Sequence, residues 1–123
     1  MELNLEIPQD HLFIRSITAD GIRVGDDYHA SPFILSRKQI FTTWNVSSIA
    51  DLNEESLVPI FDLQPELVLI GCGKHQAFLP PVIQVLFFQR NIGFEVMITD
   101  AACRTFNVLV AEGRNVVAGL IPG

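Results

Sequence analysis

The sequence predicts an α/β fold with three layers: a mixed central sheet whose parallel strands are joined by helices, plus an N-terminal antiparallel β layer. In the second half, strand-like apolar runs alternate with helical segments, the order of a parallel sheet with helical crossovers. In the first half, short β-branched and aromatic segments are separated by Gly, Asp and Pro turn signals. We expect a single domain over residues 1–123, divided into a lead-in (1–10), a mostly β part (11–47) and an α/β part (48–123).

A β-hairpin is predicted directly after the lead-in. The strand-like run 12–17 ends near Asp20-Gly21, two residue types that tolerate positive φ and are typical of hairpin turns, and 22–24 forms the returning strand. Ser31-Pro32 then marks a break, because proline has no N–H to donate to a neighbouring strand. Further short strands are expected at 28–30, 33–36 and 39–44.

Residues 48–63 predict a short helix. Asn53 is a preferred N-cap residue, and Glu54 and Glu55 fall in the first turn, where the helix dipole favours negative charge. Pro59 lacks a backbone N–H and therefore limits this helix to a short or irregular one.

The rest of the chain alternates strands with helices. Residues 67–70 form a continuous apolar run, typical of a strand that is buried on both faces, and Pro80-Pro81 suits the start of a helix. The elements that follow are a helix at 82–91, a strand at 94–98, a helix at 103–112 and a strand at 116–121. Because helical crossovers are right-handed, strands 67–70 and 94–98 are expected to be parallel, with the loops after them at one edge of the sheet.

The loop after the first parallel strand is one half of a candidate ligand site, since α/β sheets bind ligands at the carboxyl ends of their strands. It contains Gly71, Gly73 and Lys74. Glycines let backbone N–H groups approach an anion, and a lysine adds positive charge. The loop lacks both the phosphate-loop spacing and the third glycine of the dinucleotide fingerprint, so a tight turn is the alternative interpretation.

The loop after the second parallel strand supplies Asp100, Cys103 and Arg104. Either Thr99 or Asp100 is expected to cap the following helix. Arg104 is expected to donate to a carboxylate or phosphate, or to pair with Asp100, because a cation in the first turn opposes the helix dipole. Cys103 near a helix N-terminus predicts a lowered pKa and a reactive thiol, with a small buried core residue as the alternative.

A protein interface is a second candidate site. The helix 82–91 has apolar residues on both sides, so either the N-terminal strands pack over it or it meets a protein partner or a second copy, with Phe87 and Phe88 as candidate contacts. Trp44 is expected to anchor the core, with an aromatic contact at an interface as the alternative.

Composition argues against several function classes. The 14 acidic and 8 basic residues give a net charge of −6, and the bases are scattered apart from Arg37-Lys38, so nucleic-acid binding is disfavoured. Two cysteines, Cys72 and Cys103, form no disulfide framework and predict a reducing cytoplasm. The longest mostly apolar stretch, 78–88, is too short to cross a bilayer, so no membrane insertion is expected. The three histidines show no metal-ligand spacing, and we expect no metal or cofactor.

Several segments together resemble a family of small single-domain proteins of unknown biochemistry, which includes the mitochondrial complex I assembly factor 3 and the adipogenesis-associated domain protein. The matching segments are Gly21-Ile22-Arg23-Val24, Trp44-Asn45-Val46, Val68-Leu69-Ile70-Gly71-Cys72-Gly73, Glu95-Val96-Met97, Ala102-Cys103-Arg104-Thr105-Phe106-Asn107 and Glu112-Gly113-Arg114. The resemblance implies a three-layer α/β fold with an N-terminal β layer, and for the mitochondrial member a noncatalytic role in assembly. Since no targeting extension precedes the domain, we expect a prokaryotic-type cytoplasmic member.

Two functions from different classes follow. The first is a noncatalytic binding or assembly factor that acts through a protein surface. The alternative is a binding protein or enzyme for an anionic small molecule, with its site at the strand ends. No motif assigns a catalytic residue, so the reaction of such an enzyme is not predicted.

Overall fold

The computed structural model describes residues 10–123, so nearly all of the predicted lead-in lies outside the described residues. Over that range the elements in chain order are β1 (Ile14–Thr18), β2 (Gly21–Val24), β3 (Asp27–His29), β4 (Phe33–Leu35), β5 (Ile40–Phe41), a 3-10 turn (Ile49–Asp51), α1 (Glu54–Phe61), β6 (Leu67–Gly71), α2 (Pro81–Gln89), β7 (Gly93–Met97), α3 (Thr99–Ala111) and β8 (Val116–Leu120).

The strands form two sheets. The first is antiparallel, in the order β1-β2-β3, and the second has five strands in the order β5-β4-β8-β6-β7. In the second sheet, β6 is parallel to both β7 and β8, with Leu67 opposite Gly93 on one side and Val116 on the other. Strand β4 is antiparallel to β8 and to β5. The predicted fold class, a mixed α/β sheet with an N-terminal antiparallel layer, is confirmed.

The side chains of the central sheet alternate between two hydrophobic clusters. Val68 and Ile70 of β6 point to the side that carries α1 and α2, where Phe87 packs. Leu69 points to the opposite side, where Phe106 of α3 and Ile22 of the small sheet pack. The N-terminal sheet therefore covers α3, and the expectation that it packs over the helix of 82–91 is wrong.

Trp44 lies inside the first of these clusters. Its side chain is buried, and its indole Nε1 donates a hydrogen bond of 2.8 Å to the carbonyl of Ser56. The ring lies so close to Gly119 that a Cβ atom there would sit 2.6 Å from the tryptophan ring. Trp44 anchors the core, which contradicts its alternative interpretation as a surface contact.

The predicted start of one helix is confirmed, and the predicted start of another is wrong. Asn53 caps α1 as predicted, because its side chain accepts a hydrogen bond from the N–H of Ser56, and Pro59 lies within this short helix. Helix α3 begins at Thr99, four residues before the predicted start, and its N-cap is Ile98 rather than Thr99 or Asp100. The threonine hydroxyl binds distant parts of the chain instead.

Candidate functional site

The carboxyl ends of the three parallel strands meet at one edge of the sheet. Thr99, the first residue of α3, joins the loops there. Its N–H donates to the carbonyl of Gly73 at 2.9 Å, and its hydroxyl accepts from the N–H of Gly73 at 2.8 Å and donates to the carbonyl of Ile121 at 2.6 Å. Because Thr99 is buried, these bonds fix the strand ends relative to one another.

A cavity of about 290 Å³ opens at this edge. Three of the predicted ligand residues, Gly73, Lys74 and Asp100, line it together with Ile98, Thr99 and Gly123. A neighbouring cavity of about 150 Å³ separates Asp100 from the β1–β2 hairpin. The larger cavity thus combines one lysine with one carboxylate, so its lining side chains have no net positive charge to attract an anion.

The two glycines of the first loop have structural reasons to be glycine. Gly71 is buried, and a Cβ atom there would lie 3.1 Å from the Thr99 hydroxyl and 3.0 Å from the side chain of Leu120. Gly73 has φ of +97°, a conformation that other residues rarely adopt, and a Cβ atom there would meet nothing within 4 Å. Gly71 is therefore a close-packing position beneath the cavity rather than part of its lining.

Cys103 does not have the environment of a reactive thiol. Its side chain is 1% exposed. Its pKa is raised to about 12, mainly by burial and to a lesser extent by the negative charge of Asp100, while the positive charge of Arg104 acts in the opposite direction. The predicted lowering of the pKa is wrong, and the alternative interpretation as a buried core residue describes Cys103 correctly.

Arg104 lies on the exposed side of the first turns of α3. Within the described chain, residues 10–123, no ion pair joins it to Asp100, and it lines neither cavity at the strand ends. The structure thus brings together only half of the six predicted ligand residues. An anion site at this edge stays a prediction.

The outward face of α2 is the second candidate site. Val82 is 72% exposed and Phe88 65%, and Val85 between them is also exposed. Their spacing of three residues places them on one arc of the helix. Phe87 instead is fully buried, and its ring centroid lies 5.1 Å from that of Phe61. Its side chain belongs to the core and is not available as the predicted surface contact.

Two open depressions extend this face, one on each side of Asn91 and Ile92. The first, of about 480 Å³, is lined by Phe88, Asn91, Ile92, Gly93 and Phe94. The second, of about 450 Å³, reaches from Asn91 and Ile92 to Val58, Phe61 and Asp62 of α1 and its C-cap, and also includes Gln64, Pro65 and Arg90. Sequence reasoning missed both, and for the second there is a clear reason, because α1 and the end of α2 are far apart in the chain.

Residues 14–121 match a family described as a protein of unknown function (DUF498/DUF598). This chain belongs to that family. The family resemblance that the sequence indicated is thereby confirmed, and the mixed α/β architecture is the one that this resemblance implied.

Relatives of this chain carry two different descriptive names. One, from Mus musculus, is the NADH dehydrogenase [ubiquinone] 1 alpha subcomplex assembly factor 3, with 37% identity over 98% of this chain and 65% of its own length. Another, from Francisella tularensis, is called a 13 kDa major membrane protein, with 34% identity over 77% of this chain and 76% of its own length. The chain spans between 59% and 65% of the lengths of five vertebrate assembly factor 3 sequences.

The fold itself recurs in solved structures. A crystal structure of a protein from Bordetella parapertussis superposes with a TM-score of 0.86 at 29% identity, covering 95% of this chain and all of that one. Within residues 10–123, no helix has the length and apolar character that a bilayer crossing needs.

Proposed function

We propose that this protein is a noncatalytic binding protein that takes part in assembling a larger protein complex. The observation that carries the proposal is the outward face of α2, where Val82, Val85 and Phe88 present apolar side chains to solvent. Phe78, in the loop before the helix, is 87% exposed and adds to the same apolar character. Contiguous apolar patches on a folded domain typically mark contacts with other proteins.

The arrangement around Phe88 favours a protein contact over a small-molecule site. Its ring centroid lies 5.8 Å from that of Phe94 on the edge strand β7, so the two rings form one wall of an open depression. Phe94 in turn lies 5.0 Å from the buried Phe87, which connects this wall to the core. Aromatic side chains, Phe among them, are enriched at protein interfaces, so an aromatic surface that is open to solvent favours a protein contact.

The named relatives support the same kind of role. The mouse relative is named for the assembly of NADH dehydrogenase, and the match extends over nearly all of this chain. Because of this similarity, we propose that this chain also helps to assemble a multisubunit complex and binds protein partners.

We further propose that the protein acts in a reducing compartment, the cytoplasm. The free thiols of Cys72 and Cys103 support this location. The name of the Francisella tularensis relative indicates a membrane association instead. Separation of cells into soluble and membrane fractions, followed by immunoblotting with and without a high-salt wash, distinguishes the two locations.

The proposed surface is tested with one pair of variants. Phe88→Glu places a charge in the middle of the α2 face, and Val108→Glu is the matched control, because Val108 is similarly exposed at 56% but lies on α3, on the other side of the sheet. We expect proteins captured by the wild type from a lysate of its own organism to be retained by Val108→Glu and lost from Phe88→Glu. If both folded variants capture the same proteins as the wild type, the α2 face is not the binding surface.

A further inference from the structure

We propose that the occupant of the α2 face is a basic amphipathic helix from another protein, which inserts apolar side chains into the two depressions and places its Lys or Arg residues against the acidic surface of α1. This inference rests on the proposed function and names the chemistry of the partner. An amphipathic helix that binds in an apolar groove inserts apolar side chains from one of its faces, and these side chains are three or four residues apart in its sequence.

The two depressions suit two anchors on one rigid segment. They share Asn91 and Ile92, so they lie side by side along the end of α2 rather than on separate surfaces. Aromatic rings form part of each wall, Phe88 and Phe94 in one and Phe61 in the other. A partner that fills both depressions covers the exposed Phe88 at the same time.

The charge beside the depressions is negative. On α1 and its C-cap, Glu54, Val58 and Asp62 follow one another at intervals of four residues, so they lie on one face, and all three are exposed. Glu55 is exposed next to them. Electrostatic complementarity therefore favours a partner with Lys or Arg along one side of its apolar face.

Arg90 does not reverse this charge. It is the one basic residue among those of the described chain that line either depression. Its guanidinium lies 3.6 Å from the carboxylate of Glu54 and 4.4 Å from the centre of the Phe61 ring. Glu54 already pairs with Arg90, whereas within residues 10–123 neither Glu55 nor Asp62 forms an ion pair, so these two carboxylates remain for a partner.

The same charge disfavours other occupants. A second copy of this chain brings another protein of net charge −6, and its own α1 acids would approach the same surface. An anionic membrane surface is repelled for the same reason. Strand addition to the edge of β7 is limited, because the side chain of Gln76 already donates to the carbonyl of Val96 at 3.1 Å.

The experiment uses random 20-residue peptides displayed on phage and selected against the wild-type protein, followed by fluorescence anisotropy with the enriched peptides at low and high salt. Three folded variants are compared: Phe88→Glu, the rim reversal Glu55→Lys with Asp62→Lys, and the control reversal Asp20→Lys with Asp27→Lys. The control makes the same change in net charge at two exposed acids of the N-terminal hairpins.

We expect the enriched peptides to be amphipathic and basic. Their affinity should fall at least tenfold in Phe88→Glu and roughly tenfold in the rim reversal, while the control reversal leaves it nearly unchanged apart from a small general effect. Added salt should weaken binding to the wild type more than binding to the rim reversal.

The contrary outcomes separate this inference from the proposed function. Peptides that depend on Phe88 but show no basic preference, or that ignore the rim reversal, overturn the inference and leave the protein-binding function in place. A concentration-dependent dimer that is lost in Phe88→Glu has the same meaning, because the occupant is then a second copy. If no enriched peptide depends on Phe88, the α2 face fails as a binding surface and both proposals are overturned.

Discussion

The side-chain amide of Asn107 binds the backbone of Ile14 through two hydrogen bonds. Its Oδ1 accepts from the N–H of Ile14 and its Nδ2 donates to the carbonyl of the same residue, both at 2.8 Å. Strand β1 is at the edge of its sheet, and its pairing with β2 is irregular between Ile14 and Ser16. Asn107 of α3 thus binds backbone groups on the edge strand of the N-terminal sheet, and these two hydrogen bonds connect that sheet to the helix.

We expect Asn107→Leu to lower the free energy of unfolding by about 1–3 kcal/mol, because both backbone groups of Ile14 lose their partner while partly buried. Urea unfolding followed by circular dichroism measures the change. Asn115→Leu is the control, since that amide donates one hydrogen bond on the exposed surface and its loss should cost less than about 1 kcal/mol. Equal losses in the two variants would contradict the special role of Asn107.

The hydroxyl of Thr99 gives a second prediction about the strand ends. Thr99→Val keeps the shape of the side chain but leaves the N–H of Gly73 and the carbonyl of Ile121 without their partner. We expect a loss of about 2–4 kcal/mol in the free energy of unfolding, since each buried unpaired group costs about 1–3 kcal/mol. Thr99→Ser retains the hydroxyl and should lose less; a valine variant as stable as the serine variant would rule out this account.

The order of the elements could be predicted because its signals are local. The apolar run that became β6, the cap at Asn53 and the proline start of α2 each depend on neighbouring residues only. The start of α3 could not be predicted in the same way. Thr99 matches the local preference for a cap, but two distant backbone groups bind its hydroxyl instead, so a long-range contact overrides the local rule.

The interface residues show a second limit. Ile83 and Phe87 are four residues apart and buried, whereas Val82, Val85 and Phe88 are three apart and exposed. Both sets are apolar, so helical periodicity alone does not choose which set faces the sheet. The choice depends on Phe61 and Phe94, whose rings contact Phe87 from elements distant in sequence.

The two cysteines should differ in reactivity. With a pKa of about 12, Cys103 is a thiolate in roughly one molecule in 10⁴ at pH 8, against about one in four for an unperturbed thiol. We expect iodoacetamide at pH 8 to modify native Cys103 on the order of 10³-fold more slowly than Cys103 in urea. Mass spectrometry of a Cys72→Ser variant gives both rates. Similar rates in the native and unfolded protein would contradict the burial of this thiol.

The cavity at the strand ends provides the test of the predicted anion site. Lys74 and Asp100 line it with opposite charges, whereas Arg104 lies outside it. An anion held there should bind more tightly to Asp100→Asn, fail to bind Lys74→Ala, and be unaffected by Arg104→Ala. With pyrophosphate at about ten times its Kd, we expect the Tm of Asp100→Asn to rise by about 5 °C in a thermal shift measurement.

If neither the wild type nor Asp100→Asn is stabilised, the cavity does not bind such anions and Lys74 is a surface lysine. If Arg104→Ala removes the stabilisation, the anion binds at the outer side of α3 and not between the strand ends.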